Sequence, residues 1–372
     1  MIEVREVKTR KQIKEFVNFP NKLYKGNKYY VPPIYMDEKK CFKKDYMYYD
    51  QAEAKYWLAY KDGKVVGRIS GFIQFKANEK WHQKRCRFTR FDSIDDQEVA
   101  NALFDKVEEF AKSRGMEEIV GPLGFSDLER EGLLIEGFDY LSTFEEQYNH
   151  PYYQKLIENK GFGKDVDWVE HRLTLNEEKF EKIQRVAQRL ESRGTFKVVP
   201  VMSFKKACKK YGEQFFEILD TTYNDIYGTV PFSPGMKKLL MSNFTPVINK
   251  NYLRFVTDNN DRVVAFALAF PGIGKAMQTR GGRLTPLTIV RLLHAVHHPK
   301  TIDLGLVGVL PEAALGGSQI EIFKLLSEQV KKDNIEYVET NLNLEDNHEI
   351  ISMWDHFNSV QHKRRRSFVK KI

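Results

Sequence analysis

Three groupings of residues in this 372-residue chain could do chemistry. The first is a turn suited to an anion. Val309-Leu310-Pro311-Glu312-Ala313-Ala314-Leu315-Gly316-Gly317-Ser318 leads from an apolar strand pattern into a helix pattern. Backbone N–H groups at a helix start and the positive end of its dipole attract phosphate, and glycines let the backbone approach closely. Gly316 and Gly317 meet that demand. The second grouping is carboxylates: Glu129, Glu131 and Glu136 in the glycine-bearing stretch Ser126 to Asp139, and Asp92 on a strand pattern. A carboxylate in partly apolar surroundings holds its proton more tightly and can serve as a base. A carboxylate-rich loop is equally what a solvated face looks like. The third is His294, His297 and His298 at i, i+3 and i+4 of a helix pattern, a spacing that could bind metal. No carboxylate or cysteine shares the spacing, so a surface histidine cluster is expected and no metal.

The charge balance is 59 Lys+Arg against 51 Asp+Glu, a net +8, which favours an anionic partner without naming one. Lys363-Arg364-Arg365-Arg366 could grip phosphates, and as a basic edge strand it could equally discourage aggregation. No stacking aromatics accompany it, so nucleic acid is not the expected partner. Tyr24, Tyr29 and Tyr30 with Lys22, Lys25 and Lys28 pose the same choice more weakly. Cys41, Cys86 and Cys208 lack metal or redox spacing, which fits a reducing cytoplasm. The longest apolar run, Val263 to Phe270, is far short of the roughly 20 residues that span a bilayer. No membrane segment or membrane partner is expected.

The elements that must position these residues follow from periodicity. Ile2 to Val7 reads as a strand and Arg10 to Phe19 as a helix closed by Pro20. Tyr56 to Tyr60 and Val65 to Gln74 flank an Asp-Gly turn, a hairpin signal. Arg87 to Ile94 is a strand, Gln97 to Ser113 a helix, and Ile119 to Gly121 the end of another strand. The order then recurs: a hairpin over Tyr252 to Phe270, a strand over Thr301 to Leu310, a helix over Ser318 to Lys331 and a strand over Ile335 to Thr340. Lys64-Val65-Val66 and Arg262-Val263-Val264 differ by 198 positions, as do Asn149 and Asn347. Equal offsets predict a duplication. Between the halves, Glu177 to Ser192 carries Phe180, Ile183, Val186, Ala187 and Leu190 on one helical face.

This order, present twice, resembles the GNAT acyltransferase superfamily. Val309 to Ser318 resembles its pyrophosphate turn, Gln/Arg-x-x-Gly-x-Gly/Ala, with Ala314 at the Gln/Arg position and Gln319 at the last. In the first half the corresponding turn is Asp95 to Ala100, where Ala100 alone fits and three carboxylates occupy the phosphate position. Asn149 to Phe162 resembles the signature of an asparagine, a helix and Gly-Phe that lines the pantetheine channel, with Asn347 to Phe357 as its counterpart. The tyrosine that often protonates the leaving thiolate is replaced by Leu156 or Ile157, leaving Tyr152 and Tyr153 as substitutes one turn earlier. Pro32-Pro33, Val66 to Ile69, Gly121-Pro122, Glu129 to Phe138 and the Tyr-Asn-x-Pro-Tyr-Tyr run are similar to a bacterial group of tandem GNAT-like proteins of about this length.

The resemblance implies an α/β chain of mixed sheets in two tandem GNAT-like domains, 1–176 and 196–372, joined by a helix over 177–195. It implies transfer of an acyl group from acetyl-CoA or another acyl-CoA to a small-molecule or peptide amine by direct attack. Asp92, Glu131, Tyr152 and Tyr153 are then the catalytic candidates. Val309, Gly316, Gly317, Ser318, Asn347, Ala100 and Asn149 are the cofactor-binding ones. A non-catalytic scaffold of the same fold, or a Fem-type transferase taking aminoacyl-tRNA, are the alternatives. Which half binds the cofactor is open, as is the oligomeric state.

Overall fold

The structure, a computed structural model, describes residues 1–126, 128–244 and 247–372. Its first elements are β1 (Ile2–Glu6), α1 (Arg10–Leu23), α2 (Tyr35–Lys40), β2 (Ala52–Lys61), β3 (Lys64–Gln74), α3 (Phe75–Lys80), β4 (Arg85–Ser93) and α4 (Gln97–Ser113). β5 (Glu118–Gly121), β6 (Leu133–Glu136), α5 (Tyr152–Asn159), β7 (Gly163–Thr174) and α6 (Glu177–Arg193) follow. Then come β8 (Lys197–Val198), α7 (Phe204–Thr222), α8 (Pro234–Phe244), β9 (Leu253–Thr257), β10 (Val263–Pro271), α9 (Gly274–Met277) and α10 (Pro286–His297). The last are β11 (Thr301–Val309), α11 (Pro311–Ala314), α12 (Ser318–Lys332), β12 (Tyr337–Glu339), β13 (Asn343–Leu344), α13 (His348–Met353) and β14 (Asn358–Lys371).

Two compact units result, and each borrows from the far half of the chain. The first comprises Met1–Val169, Gly274–Ile289 and His362–Ile372; the second comprises Glu170–Ile273 and Val290–Gln361. In the first, strand order is β1-β2-β3-β4-β5-β14 followed by β7. β4 and β5 run parallel, and β14 pairs antiparallel with β5 from Phe368 opposite Gly121 to Lys371 opposite Glu118. In the second, β7-β12-β11-β10-β9-β8 repeats the plan, with β11 and β12 parallel and Leu173 and Arg172 of β7 opposite Val338 and Glu339. A boundary at residue 176 does not anticipate this exchange of strands.

The core of the first unit forms because α4 presents Val99, Leu103, Phe104, Val107 and Phe110 along one stripe, all buried against β3 and β4. Asp96 caps this helix by accepting from the Glu98 N–H. In the second unit α6 buries Phe180, Ile183 and Ala187. Ile183 packs with Phe323 of α12, so this helix is part of the second unit's core. Val186, expected on the same face, is exposed.

α1 begins at a capping box of Thr9 and Gln12, and it runs through Pro20 to Leu23 where the sequence pattern stops it at Phe19. Proline has no N–H, so the Phe16 carbonyl four residues earlier loses its helical donor. The Arg68 guanidinium supplies one instead, 3.0 Å away. The extra turn delivers Tyr24 to the interior.

Candidate active site

In the first unit, β4 and β5 pair only from Arg85 to Arg87, and β4 then carries a bulge opposite β3 between its Thr89 and Asp92 pairings. Arg90, in the bulge, has φ of 51°. A bulge leaves a residue unpaired and re-aims neighbouring groups, and here it turns Asp92 inward. Asp92 is 6% exposed. Its Oδ2 accepts from Arg68 Nε at 2.7 Å, and its Oδ1 accepts from the hydroxyls of Tyr24 at 2.9 Å and Tyr153 at 3.2 Å. Burial pushes the Asp92 carboxyl up despite Arg68, while burial and the nearby Asp92 charge hold both phenols well above the ordinary tyrosine value. The Tyr153 hydroxyl also accepts the Ser93 N–H at 3.1 Å.

At the edge of this network Tyr152 donates to the Ser93 carbonyl at 2.7 Å, and the His150 ring stacks on Tyr152 at 5.2 Å and lies 4.8 Å from that of Tyr24. Burial lowers the His150 pKa below 6.5, which makes the ring neutral near pH 7, and it bonds the Leu23 carbonyl. A neutral imidazole that donates one N–H keeps its other nitrogen as an acceptor. Tyr30 stacks on Tyr24 at 4.5 Å, and its buried hydroxyl has no partner among the described residues. Gln278 holds this tyrosine loop by donating to the Lys28 and Tyr30 carbonyls.

The other expected residues have other surroundings. Glu131 is buried in the loop after β5, whereas Glu129 accepts from the Tyr46 hydroxyl and the Phe125 N–H, and Glu136 is exposed. Asn149 donates to the Leu134 carbonyl and accepts from the Leu134 N–H, pinning β6. Asn347 caps α13 by accepting from the Ile350 N–H, Ala100 is fully buried in the core, and Val309 ends β11 partly buried. Of the four catalytic candidates, Asp92 and Tyr153 hydrogen-bond one another and Tyr152 adjoins them through Ser93. Tyr24, Arg68 and His150 were missed as site residues; they sit 68, 24 and 58 positions from Asp92, and no local pattern joins them.

The two helix starts differ. Asp96 places its own carboxylate on the α4 start and pairs with Lys61 at 2.8 Å. At the start of α12, Gly317 is the cap with φ of 86°, offers no side chain, and precedes a buried Ser318 hydroxyl that has no partner among the described residues. A Cβ at Gly316 would lie 2.7 Å from Phe196, and one at Gly317 would lie 2.8 Å from Leu190. These glycines therefore serve close packing.

The basic run is not a surface for polyanions. β14 lies inside the sheet of the first unit, so Lys363 and Arg365 are buried there, at 1% and 0% exposure. Arg366 clamps Asp167 at 2.7 and 2.9 Å, and Arg364 joins at 3.2 Å. The edge-strand reading fails for the same reason. His294, His297 and His298 are exposed on and beside α10.

No family model matches the chain. It is 24% identical to Protein YghO of Escherichia coli strain K12 over 99% of this chain and 95% of that one. It is 25% identical to the bacterial ceramide synthase of Caulobacter vibrioides over 83% of this chain and 80% of that one. Among solved structures, a tandem GNAT protein from the clavulanic acid biosynthesis pathway superposes with a TM-score of 0.56 at 11% identity, covering 100% of this chain and 98% of that one. The glucosamine N-acetyltransferase region of a fungal multi-domain β-N-acetylglucosaminidase gives 0.57 at 10% identity, over 100% of this chain and 38% of that one. With β4 and β11 each bulged and each parallel to its neighbour only at its start, the chain has the tandem GNAT fold.

Proposed function

We propose that this protein is an N-acyltransferase that moves an acyl group from an acyl-CoA, most simply acetyl-CoA, to an amine, with the chemistry in the first unit. The observation that carries the reading is the convergence of His150, Tyr152 and the Asp92 network on the bulged end of β4. Direct attack forms the C–N bond and breaks the C–S bond. The proton of the attacking ammonium passes to the free nitrogen of neutral His150. Tyr152, whose pKa burial raises, stays protonated; its hydroxyl turns from the Ser93 carbonyl to the departing thiolate, which takes up the second proton of the attacking nitrogen and leaves as the free thiol. The N–H groups of the β4 bulge polarise the carbonyl. Asp92, Tyr153 and Arg68 orient these groups and do not themselves exchange protons with substrate.

The name of the Caulobacter relative bears on the acceptor, since a ceramide is an amide of an acyl chain and a long-chain amine. Long-chain amines therefore belong beside small-molecule and peptide amines in the acceptor screen. A second reading, with the donor's pyrophosphate on α12 of the second unit, is favoured by the uncapped helix start and the partnerless Ser318 hydroxyl. The burial of Lys363 and Arg365 weighs against a tRNA-dependent transferase, and failure to bind any acyl-CoA would favour a scaffold.

Calorimetry with acetyl-CoA and free CoA on the wild type, His150→Gln, Tyr152→Phe and Gly317→Asp, followed by thiol-release assays, tests this. The reading expects binding in all four proteins and loss of turnover in the His150 and Tyr152 variants. Binding lost only in Gly317→Asp, with its folding intact by circular dichroism, moves the donor to the second unit. No binding in the wild type overturns acyl-CoA transfer.

A further inference from the structure

The connection between β10 and β11 holds 29 residues, 272–300, where the equivalent connection between β3 and β4 holds ten, 75–84. Its main feature is α10, whose outer face is apolar over its first two turns, with the exposed His294 and His297 on the same side at its last turn. Leu287, Ile289, Val290 and Leu293 are exposed there, Val290 at 63%, and Leu284 just before the helix is exposed as well. Thr288 points the other way and is buried, and Val296, at the edge of the exposed arc, is buried as well. At 100° per residue the exposed residues cover about half the helix circumference. Isolated apolar side chains on a surface need no explanation, but a contiguous helical face of them does.

The surrounding charge says what would cover it. From Asp261 to Asp303 there is no acidic residue, while Lys275, Arg280, Arg283, Arg291 and Lys300 flank or lie on the helix. All five are exposed. An apolar helical face in a stretch of chain that carries cations and no carboxylates matches the boundary between acyl chains and anionic headgroups. A protein partner offering that same chemistry would need an apolar groove ringed by carboxylates. A bilayer leaflet with anionic lipid presents both properties over any area.

We infer that α10 docks this protein on the surface of an anionic lipid bilayer, with Leu287, Val290 and Leu293 entering the acyl boundary and the basic side chains meeting headgroup phosphates. No helix among the described residues is long and apolar enough to cross a membrane. A helix of 12 residues lying in the interface needs no spanning segment. Peripheral attachment would bring the chain within reach of acyl chains or amines that never leave the leaflet.

The test is flotation of the full chain with vesicles of phosphatidylcholine alone, with equal parts of phosphatidylcholine and phosphatidylglycerol, and with free glycerol phosphate as a soluble competitor. The wild type should float with the mixed vesicles, poorly with the neutral ones, and glycerol phosphate should not displace it. Leu287→Ser/Val290→Ser/Leu293→Ser should weaken binding by at least about tenfold. A second variant keeps the fold beyond question, because Lys275→Gln/Arg291→Gln/Lys300→Gln changes only exposed side chains. Each lost cation should weaken binding by about fivefold, and added salt should do the same. Three results overturn the inference: no flotation of the wild type, flotation unchanged in both variants, or sedimentation showing a dimer that the triple-serine variant dissolves.

Discussion

The buried pair of Arg68 and Asp92 allows a quantitative forecast. The two side chains are 6% and 9% exposed and 2.7 Å apart. Removing one partner of a buried pair typically costs about 3–5 kcal/mol because the other charge is stranded. Asp92→Leu strands Arg68 incompletely: the guanidinium keeps the Phe16 carbonyl at 3.0 Å, Glu38 at 3.7 Å and the Phe16 ring at 4.9 Å. Tyr24 can still donate to the Tyr153 hydroxyl at 2.9 Å. The expected loss is therefore at the low end, about 3 kcal/mol. Arg68→Met strands Asp92, but that carboxyl is already raised by burial and can take up a proton, so about 2 kcal/mol is expected. The double variant removes both charges and should lose no more than the worse single one, about 3 kcal/mol, leaving a coupling of about 2 kcal/mol. Urea unfolding followed by tryptophan fluorescence reads this directly, since Trp57, Trp81 and Trp168 all lie in the first unit. A double-variant loss equal to the sum of the singles, within about 0.5 kcal/mol, would refute the reasoning.

Other forecasts follow from the same geometry. Burial pushes the Asp167 carboxyl up, but hydrogen bonds and charge from Arg366, with Lys164 and Arg364, bring it below 3.8. Its contribution is therefore present above the unfolded pKa and lost as pH falls through the lower folded value. Urea midpoints of wild type and Asp167→Asn should converge in that acid range; a constant gap down to the lowest pH reached would contradict this. If His150 is the base, turnover should rise with pH and level off below 6.5, and His150→Gln should flatten the rise. Because Asp96 already occupies the α4 start, acetyl-pantetheine should replace acetyl-CoA with less than about a tenfold loss in kcat/KM. A much larger loss would show that the nucleotide is held. Gly317→Ala should destabilise the second unit by about 2 kcal/mol, since the residue has φ of 86° and a Cβ would press on Leu190. A thermal scan showing no shift would argue that this turn is loosely packed.

Much of the fold was legible. Both hairpins, the helix over Gln97 to Ser113 and the helix starting at Ser318 lie within two residues of where periodicity places them, except that β2 begins at Ala52, four residues before the expected Tyr56. The repeat was legible for a partly accidental reason: the longer β10–β11 connection in one half is balanced by the long 122–148 segment in the other, which restores the offset of 198. The site was legible in pieces. Asp92, Tyr152 and Tyr153 have suitable chemistry in the sequence, but Tyr24 reaches them only because α1 continues through Pro20. That continuation depends on Arg68, a tertiary contact. The four basic residues from 363 to 366 read as a surface because a sequence shows charge and not pairing. β14 is an interior strand, and the neighbouring strand β7 supplies Asp167 to Arg364 and Arg366.

The exchange of strands has a consequence for how such a chain can be made and can evolve. The sheet of the first unit is complete only with His362–Ile372, so during synthesis β5 waits, with an edge uncovered, until residues 362–372 leave the ribosome. The second unit in turn takes a strand end from residues 170–174, made long before its own sheet. Deleting either half would strip the survivor of a strand and leave an open edge that invites aggregation. A chain whose two units exchange strands in this way cannot lose either half, even if only one half does chemistry.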